Sequence, residues 1–254
     1  MHLYLDISIF SSTLTINGAN SLGATTLASS SALILENSIN QSFTSLILNG
    51  TCSNKATIST IIPAQPAATI TISSSPFNGS GINITKVNAV GPTIYNLTIS
   101  TLTNATGWTL DNKLYWIGNS GNWNDGNHWS ATSVGSAIGC IPTQQDSVFF
   151  DANSFSLANQ IVTVNTNGEF KAMTWKNIAS NQTLLLDSIN ATNTGILNGY
   201  GDVTFHSNVK VRRVELSCSF IFNNAAKITA NAANIDANFR VTMPTNATTV
   251  LVQG

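Results

Sequence analysis

Short runs that alternate apolar with polar residues recur along the whole chain and predict β-strands. The runs are about four to eight residues long, and Asn, Gly, Ser or Pro bounds most of them. Representative runs are LYLDISI at 3–9, ALIL at 32–35, ATITI at 68–72, QIVTV at 160–164 and VKVRRVEL at 209–216. The periodicity of an amphipathic helix is almost absent. The pattern predicts an all-β protein.

The connections between these runs indicate how the strands are arranged. Three runs end in Asn-Gly, at 17–18, 49–50 and 198–199, but none leads directly into the returning strand of a tight hairpin. We therefore expect each Asn to take the left-handed conformation at a corner between strands on different faces. Such corners favour a right-handed parallel β-solenoid with a Trp/Gly-rich loop insertion. A β-sandwich is the second interpretation.

Composition narrows the functional classes. Of the 254 residues, 43% are apolar and only 8% are charged, with a formal net charge of -1. Stacked strands carrying Ser, Thr and Asn avoid the repulsion between like charges. A chain without excess positive charge lacks the electrostatic footprint of a nucleic-acid partner. No apolar run approaches the roughly 18 residues that a membrane span requires.

One region interrupts the series of predicted strands. Residues 110–146 are rich in Gly, Asn and Trp and contain few strand-like runs. The predicted organisation is therefore a β-solenoid segment at 1–109, a Trp/Gly-rich cap or junction at 110–155, and a second β-solenoid segment at 156–254.

The most distinctive stretch is YWIGNSGNWNDGNHWS at 115–130, followed by CIPTQQDSVFFDANSF at 140–155. The residues that form the pattern are Trp116, Gly118, Gly121, Trp123, Asp125, Trp129, Ser130, Pro142, Asp146, Val148, Phe150, Asp151, Ala152, Asn153, Ser154 and Phe155. The pattern resembles a module of very large, secreted, adhesin-like bacterial surface proteins, which are often built from β-helix repeats. Asn119 stands where that module usually has a second Gly.

The resemblance implies location and architecture more than chemistry. It implies an extracellular, cell-surface protein. We expect a structural or adhesive function and not an enzyme, because the sequence carries no common catalytic motif. The alternative is a β-helix module that binds or cleaves carbohydrate.

Two explanations of the tryptophans stay open at the sequence level. Exposed Trp116, Trp123 and Trp129 would stack on sugar rings while Asp125 accepts hydrogen bonds from hydroxyls, which makes these four the candidate glycan-binding residues. Alternatively, the three side chains are buried and fold the loop as a cap over the edge of the sheets. We favour the cap.

Metal binding has weaker support. Asp125, Asp146 and Asp151 are candidate calcium ligands together with backbone carbonyls, but they lack the spacing of an EF-hand loop. Otherwise no cofactor is expected. Cys52, Cys140 and Cys218 lie too far apart for a zinc motif. At most one disulfide can form among them, and we favour three small buried residues.

The densest charge lies in HSNVKVRRVELS at 206–217. Lys210 and Arg212 share one face of an extended strand, and the apolar phase changes near Arg213, which predicts a bulge or a corner. We expect a solvated corner where Glu215 pairs with an arginine. A glycan-cleaving face is the alternative, although the common hydrolase motifs are absent from the sequence.

The two ends of the chain are apolar and β-forming. The amino end lacks the basic segment and cleavage site of a signal peptide. The predicted assembly edges are Leu3, Leu5, Ile7, Ile9, Val250 and Val252. Unpaired edge strands are templates for another chain. The expected partners are therefore further copies of this chain, stacked head to tail into a filament, or flanking solenoid repeats; glycans are a further candidate partner.

Overall fold

The computed structural model describes residues 6–190, 193–241 and 251–253. Apart from one 3-10 turn at Gly126–His128, every regular element among these residues is a β-strand. The all-β prediction is therefore confirmed. The chain divides into two compact units, residues 1–112 and 113–254. Most of the segment predicted at 110–155 thus belongs to the second unit.

The first unit contains thirteen strands in two sheets. The strands are β1 Ile7–Ile9, β2 Thr13–Ile16, β3 Asn20–Ala28, β4 Ala32–Leu35, β5 Asn40–Asn49, β6 Ala56–Thr60, β7 Ala68–Ile72, β8 Phe77–Ser80, β9 Ile82–Thr85, β10 Val87–Ala89, β11 Tyr95–Thr98, β12 Thr101–Thr103 and β13 Thr109–Leu110. One sheet has eight strands, ordered β1-β3-β5-β8-β11-β13 with β7 and β10 beside this path, and the other is ordered β12-β9-β6-β4-β2.

Alternation along each strand builds the core of the first unit. In β7, Ala68, Ile70 and Ile72 are buried while Thr69 and Thr71 face outward. Along the second sheet, parallel pairing places Thr13, Ala32, Thr57, Asn83 and Thr101 in one outward row. Uncharged polar side chains therefore cover the outer surface of stacked strands.

The corners differ from the prediction made for the Asn-Gly pairs. Asn49 and Asn198 lie inside strands, and at 17–18 the positive φ belongs to Gly18, at 70°. The prediction that these asparagines turn the chain is wrong, because backbone pairing extends through two of them. Left-handed asparagines do occur elsewhere, at Asn104, Asn119, Asn159, Asn177 and Asn231.

The second unit contains the remaining strands. They are β14 Lys113–Trp116, β15 Gly121–Asn122, β16 Trp129–Ser130, β17 Ser147–Phe150, β18 Ile161–Val164, β19 Gly168–Phe170, β20 Ala172–Trp175, β21 Gln182–Leu186, β22 Ser188–Asn190, β23 Asn193–Thr194, β24 Ile196–Gly199, β25 Val203–Thr204, β26 Val209–Arg213, β27 Ser219–Phe222, β28 Lys227–Thr229, β29 Asn234–Asp236, β30 Asn238–Val241 and β31 Leu251–Gln253.

From β17 onward the chain visits three sheets in a fixed rotation. The sheets are ordered β16-β14-β17-β20-β25-β28-β31, β15-β18-β21-β26-β29 and β19-β24-β27-β30. Each strand inside a sheet therefore pairs with the strand one rotation earlier and the strand one rotation later, and the end strands pair on one side. The hairpin β22–β23 is a small excursion between β21 and β24.

Equivalent positions stack inward along each sheet. Val148, Met173, Val203 and Ile228 are paired in register, and each is at most 1% exposed. Burying such rows removes apolar area from water, which stabilises by about 25 cal/mol per Å². The repeated rotation therefore produces one continuous core in the second unit.

Pairing is parallel throughout both units with two short exceptions among the described strands. The exceptions are β14–β16 and β22–β23, together with an isolated bridge between Ser130 and Ala137. The prediction of mostly parallel strands is confirmed. The β-sandwich interpretation is wrong, because that architecture is built from antiparallel sheets.

The structure describes three of the six residues predicted as assembly edges. Leu3, Leu5 and Val250 lie outside the described residues. Ile7 and Ile9 belong to β1, which pairs with β3, and Val252 of β31 pairs with Ile228. Ile9 is 4% exposed, so its side chain belongs to the core of the first unit.

No helix among the described residues is long and apolar enough to span a membrane. Of the cysteines, Cys218 is fully buried, as expected, whereas Cys52 and Cys140 are only half-buried. The expectation of three buried cysteines is therefore wrong for two of them.

The surroundings of Tyr200 in the second unit raise the pKa of its phenol. Burial, and then the negative charge of Glu169 and a 3.4 Å hydrogen bond from Tyr200 Oη to Glu169 Oε1, raise the pKa of Tyr200 above its ordinary value of 10.0.

We expect the free energy of unfolding to fall in strong alkali through Tyr200. Its folded-state pKa lies above its unfolded value, so this stabilising contribution is complete below pH 10.0 and is lost as the pH rises through the folded-state value. Urea denaturation from about pH 9 upward would measure the decline. Tyr200→Phe should show a shallower decline, and identical pH profiles for the two proteins would contradict the assignment.

Candidate functional site

The Trp loop, residues 115–130, begins the second unit. Trp116 ends β14 and pairs directly with Trp129 of β16 in antiparallel register. Strand β16 therefore occupies the edge of β14 that faces away from β17. Trp123 follows β15, and its backbone N–H donates to the carbonyl of Thr163 at 2.8 Å.

The three tryptophans form one interlocked cluster, and all are 0% exposed. The rings of Trp116 and Trp129 meet edge to face at 5.1 Å, and those of Trp123 and Trp129 do so at 5.0 Å. Phe150 lies 5.8, 6.2 and 5.9 Å from the centroids of the three rings and stacks on Trp175 at 3.8 Å. The cluster is thus continuous with the core of the second unit.

Hydrogen bonds within the loop satisfy two of the three indole N–H groups. Trp129 Nε1 donates to the carbonyl of Trp123 at 2.8 Å, and Trp116 Nε1 donates to that of Asn119 at 2.7 Å. Trp123 Nε1 is buried without an acceptor. The loop therefore encloses its aromatic side chains with its own backbone.

The candidate glycan platform is wrong for the three tryptophans. A sugar stacks on an exposed aromatic face, and these three side chains have none. Asp125, by contrast, is partly exposed. Its Oδ1 accepts from the N–H of Asn127 at 2.9 Å and so caps the 3-10 turn. Burial of Trp116, Trp123 and Trp129, the preferred prediction, is confirmed.

His128 fits between Trp116 and Gly121. Its ring stacks on that of Trp116 at 4.7 Å, its Nδ1 lies 2.9 Å from the carbonyl of Ile117, and its Nε2 lies 3.9 Å from Asp125 Oδ2. A Cβ placed on Gly121 would lie 2.1 Å from His128 Nε2. The Gly of the motif therefore makes room for the imidazole.

Asn119 joins the two halves of the motif. Its φ is 72°, a conformation that Asn tolerates better than most residues, which explains how it replaces Gly there. Asn119 Oδ1 accepts from the backbone and the hydroxyl of Ser156 at 2.6 and 2.9 Å. Its own N–H donates to the carbonyl of Ser154 at 3.3 Å.

The three candidate calcium ligands serve separate turns. Asp146 Oδ2 accepts from the backbone and hydroxyl of Thr143 at 2.8 and 2.6 Å, and Asp151 Oδ1 accepts from the N–H of Asn153 at 2.9 Å. Asp125 caps its own turn, as described above. Within the described residues, no three His, Cys, Asp or Glu side chains form a group suited to a metal ion.

The basic strand β26 presents a second candidate site. Val209 and Val211 are fully buried, so Lys210 and Arg212 project outward, as the sequence predicts. The strand ends at Arg213, and Val214 and Leu216 beyond it are 59% and 78% exposed. The predicted corner near Arg213 is confirmed.

The ion pair at this corner differs from the prediction. Arg213 Nε lies 3.7 Å from Asp236 Oδ1, whereas Glu215 Oε2 accepts from the hydroxyl of Ser217 at 3.4 Å. The predicted pairing of an arginine with Glu215 is wrong, because the next rotation of the chain places Asp236 of β29 beside Arg212 of β26.

A groove follows the outer face of this sheet. It has a volume of about 270 Å³ and is lined by Lys210, Arg212, Asn234 and Asp236. Sequence analysis missed Asn234 and Asp236, which lie one rotation after β26. Strand alternation predicts that both side chains face outward. Their position beside Lys210 and Arg212 depends on the number of residues in one rotation of the chain, which the sequence does not give.

Comparisons with protein-family models, curated proteins and solved structures find no match to this chain.

Proposed function

We propose that this chain is an extracellular structural or adhesive protein whose strands form right-handed parallel β-solenoids. The fixed rotation through three sheets from β17 to β31 supports this arrangement. In a solenoid each rotation stacks on the preceding one, so the outer faces form an extended surface with repeated chemistry.

The complete burial of the Trp cluster is the observation that carries the proposal. The most distinctive motif of the sequence contributes its tryptophans to a core, and β16 covers the outer edge of β14. Covering an edge strand prevents unwanted pairing there, which is the function of a cap. The burial of the motif's tryptophans thus supports a structural function for the motif and not a catalytic one.

The outer surface supports the proposed location and function. Its exposed rows carry Ser, Thr and Asn, and the whole chain has a formal net charge of -1. The motif at 115–130 and 140–155 also resembles modules of large secreted bacterial surface proteins. A weakly charged, hydroxyl-rich and amide-rich face suits contacts that depend on shape and hydrogen bonding.

Self-assembly is the form of this function that we propose. In the described part of the chain, β1 pairs on one side only, with β3, and β31 pairs only with β28. Unpaired N–H and C=O groups on such strands accept a strand from another chain. A contact between unlike edges leaves a free edge at each end of the assembly and produces a filament unless its rotation closes a ring.

Filament formation tests this proposal. We expect the protein to form particles that lengthen with concentration in sedimentation velocity and electron microscopy. Ser8→Lys places a charge on the exposed face of β1, a device by which natural edge strands resist pairing, and should shorten or abolish the particles.

Thr98→Lys is the matched control. Thr98 is also exposed, but it lies on β11, which pairs with β8 and β13. This variant should assemble as the parent does. Single molecules at every concentration, or equal assembly by the Ser8→Lys variant, would contradict head-to-tail stacking through β1.

A further inference from the structure

We propose that the groove on β26 and β29 binds an acidic polysaccharide through the carboxylates of its uronic-acid units. This inference rests on the proposed adhesive function for its biological use, because it supplies a ligand class for that function. The binding itself is a separate property of one sheet face.

Positive charge is concentrated at this face. The chain has 10 Lys and Arg among 254 residues, yet Lys210, Arg212 and Arg213 fall within one strand. Strand alternation sends Lys210 and Arg212 to the same outer face, about 7 Å apart. In a chain with so few charges, two neighbouring exposed cations create a local attraction for an anion.

The carboxylate of Asp236, which lines the groove beside Arg212, only partly compensates these two cations. Asp236 pairs with Arg213 at 3.7 Å, while Lys210 and Arg212 form no ion pair with a described residue. Their register neighbours on β21 are Thr183 and Leu185. The face therefore retains positive charge beside a hydroxyl and the amide of Asn234.

The shape of the groove suits a segment of an extended chain. Its volume of about 270 Å³ lies just below the range for small-molecule sites, roughly 300–1,000 Å³, and suits a single sugar unit of a longer chain. The outer face of this sheet continues beyond the groove on the side of β21 and β18, whereas β29 is its last described strand. A long ligand could therefore place one unit in the groove and its neighbours along the adjacent strands.

The donor set selects an acidic sugar over a neutral one. The described residues lining the groove include no aromatic ring, so stacking contributes nothing to recognition. The guanidinium of Arg212 matches a carboxylate in a bidentate arrangement, and Lys210 adds a compact second charge. Asn234 and Asp236 offer donors and acceptors for sugar hydroxyls.

Binding to polygalacturonate tests the proposal. Calorimetry with the full chain should detect binding to this polymer and not to its fully methyl-esterified form, which keeps the sugars and removes their charge. Lys210→Gln combined with Arg212→Gln should weaken binding about tenfold or more, because two contacts to a charged group are lost.

Lys171→Gln combined with Lys176→Gln is the matched control. It changes the net charge equally at two exposed positions outside the groove, and should leave affinity unchanged.

Asp236→Asn supplies a result that misfolding cannot imitate. Removing this exposed carboxylate from the groove should strengthen binding, because it removes the repulsion of a polyanion and frees Arg213. Equal affinity in the parent and the double Gln variant of the groove would overturn the proposal. So would equal binding of the methyl ester, or tighter binding of single-stranded oligothymidylate than of polygalacturonate.

The measurement also separates this inference from filament formation. Binding is measured with the Ser8→Lys variant as well as the parent, since β1 lies in the first unit and the groove in the second. A parent protein that binds the polymer without assembling overturns only the filament, and a parent protein that assembles without binding overturns only the groove. In the Ser8→Lys variant, retained binding shows that the two properties are independent.

Discussion

Replacing Trp123 with alanine should lower the free energy of unfolding by about 3–5 kcal/mol. The side chain is 0% exposed and contacts Trp129, Phe150 and Phe170. Its removal leaves a cavity at the point where the Trp loop meets the core of the second unit. Urea denaturation followed by far-ultraviolet circular dichroism would measure the loss.

Two controls define the cause of that loss. Leu157→Ala changes an apolar residue that is 64% exposed and should shift stability by no more than about 0.5 kcal/mol. Trp123→Phe should cost less than Trp129→Phe, because Trp123 Nε1 has no acceptor whereas Trp129 Nε1 donates to the carbonyl of Trp123. A loss below about 1 kcal/mol for Trp123→Ala would show that the cluster does not stabilise the unit.

Gly121→Ala should also destabilise the protein, by about 1–3 kcal/mol. The new methyl group would lie 2.1 Å from His128 Nε2, and this imidazole cannot yield without leaving its stack on Trp116. The same substitution made together with His128→Ala should cost less, since the obstructing ring is then absent. Denaturation of the four proteins of this double-mutant cycle measures the coupling.

The sign of that coupling decides the interpretation. If Gly121→Ala costs the same with and without His128, the space taken by the imidazole is not the cause of the loss. Gly18→Ala provides a comparison for strain alone, because Gly18 has a φ of 70° and no atom within 4 Å of the added Cβ.

The all-β class and the burial of the tryptophans could be predicted from sequence because both depend on local patterns. Alternation such as ATITI at 68–72 specifies which side chains face inward without reference to distant residues. Three tryptophans in a loop with few strands have large apolar areas that only mutual packing can cover.

The ion pair and the groove could not be predicted because they depend on the length of each rotation. Arg212 pairs in register with Asp236, and Leu185 with Arg212, so successive rotations differ in length. Without a constant period, Glu215 was the nearest acidic residue in sequence. The prediction that Asn49 and Asn198 form corners was wrong for a related reason. Pairing with neighbouring strands, which the local sequence does not specify, extends β5 and β24 through these asparagines.

The β22–β23 excursion shows that this architecture tolerates added length at a corner. It inserts a hairpin between β21 and β24, yet Gly168 still pairs with Leu197 and Gln182 with Val209. Doubling the length of a flexible loop costs only about 0.6 kcal/mol in closure entropy. The corner between β21 and β24 is therefore a natural place to graft a foreign peptide epitope, displayed on a scaffold whose stacked strands keep their register.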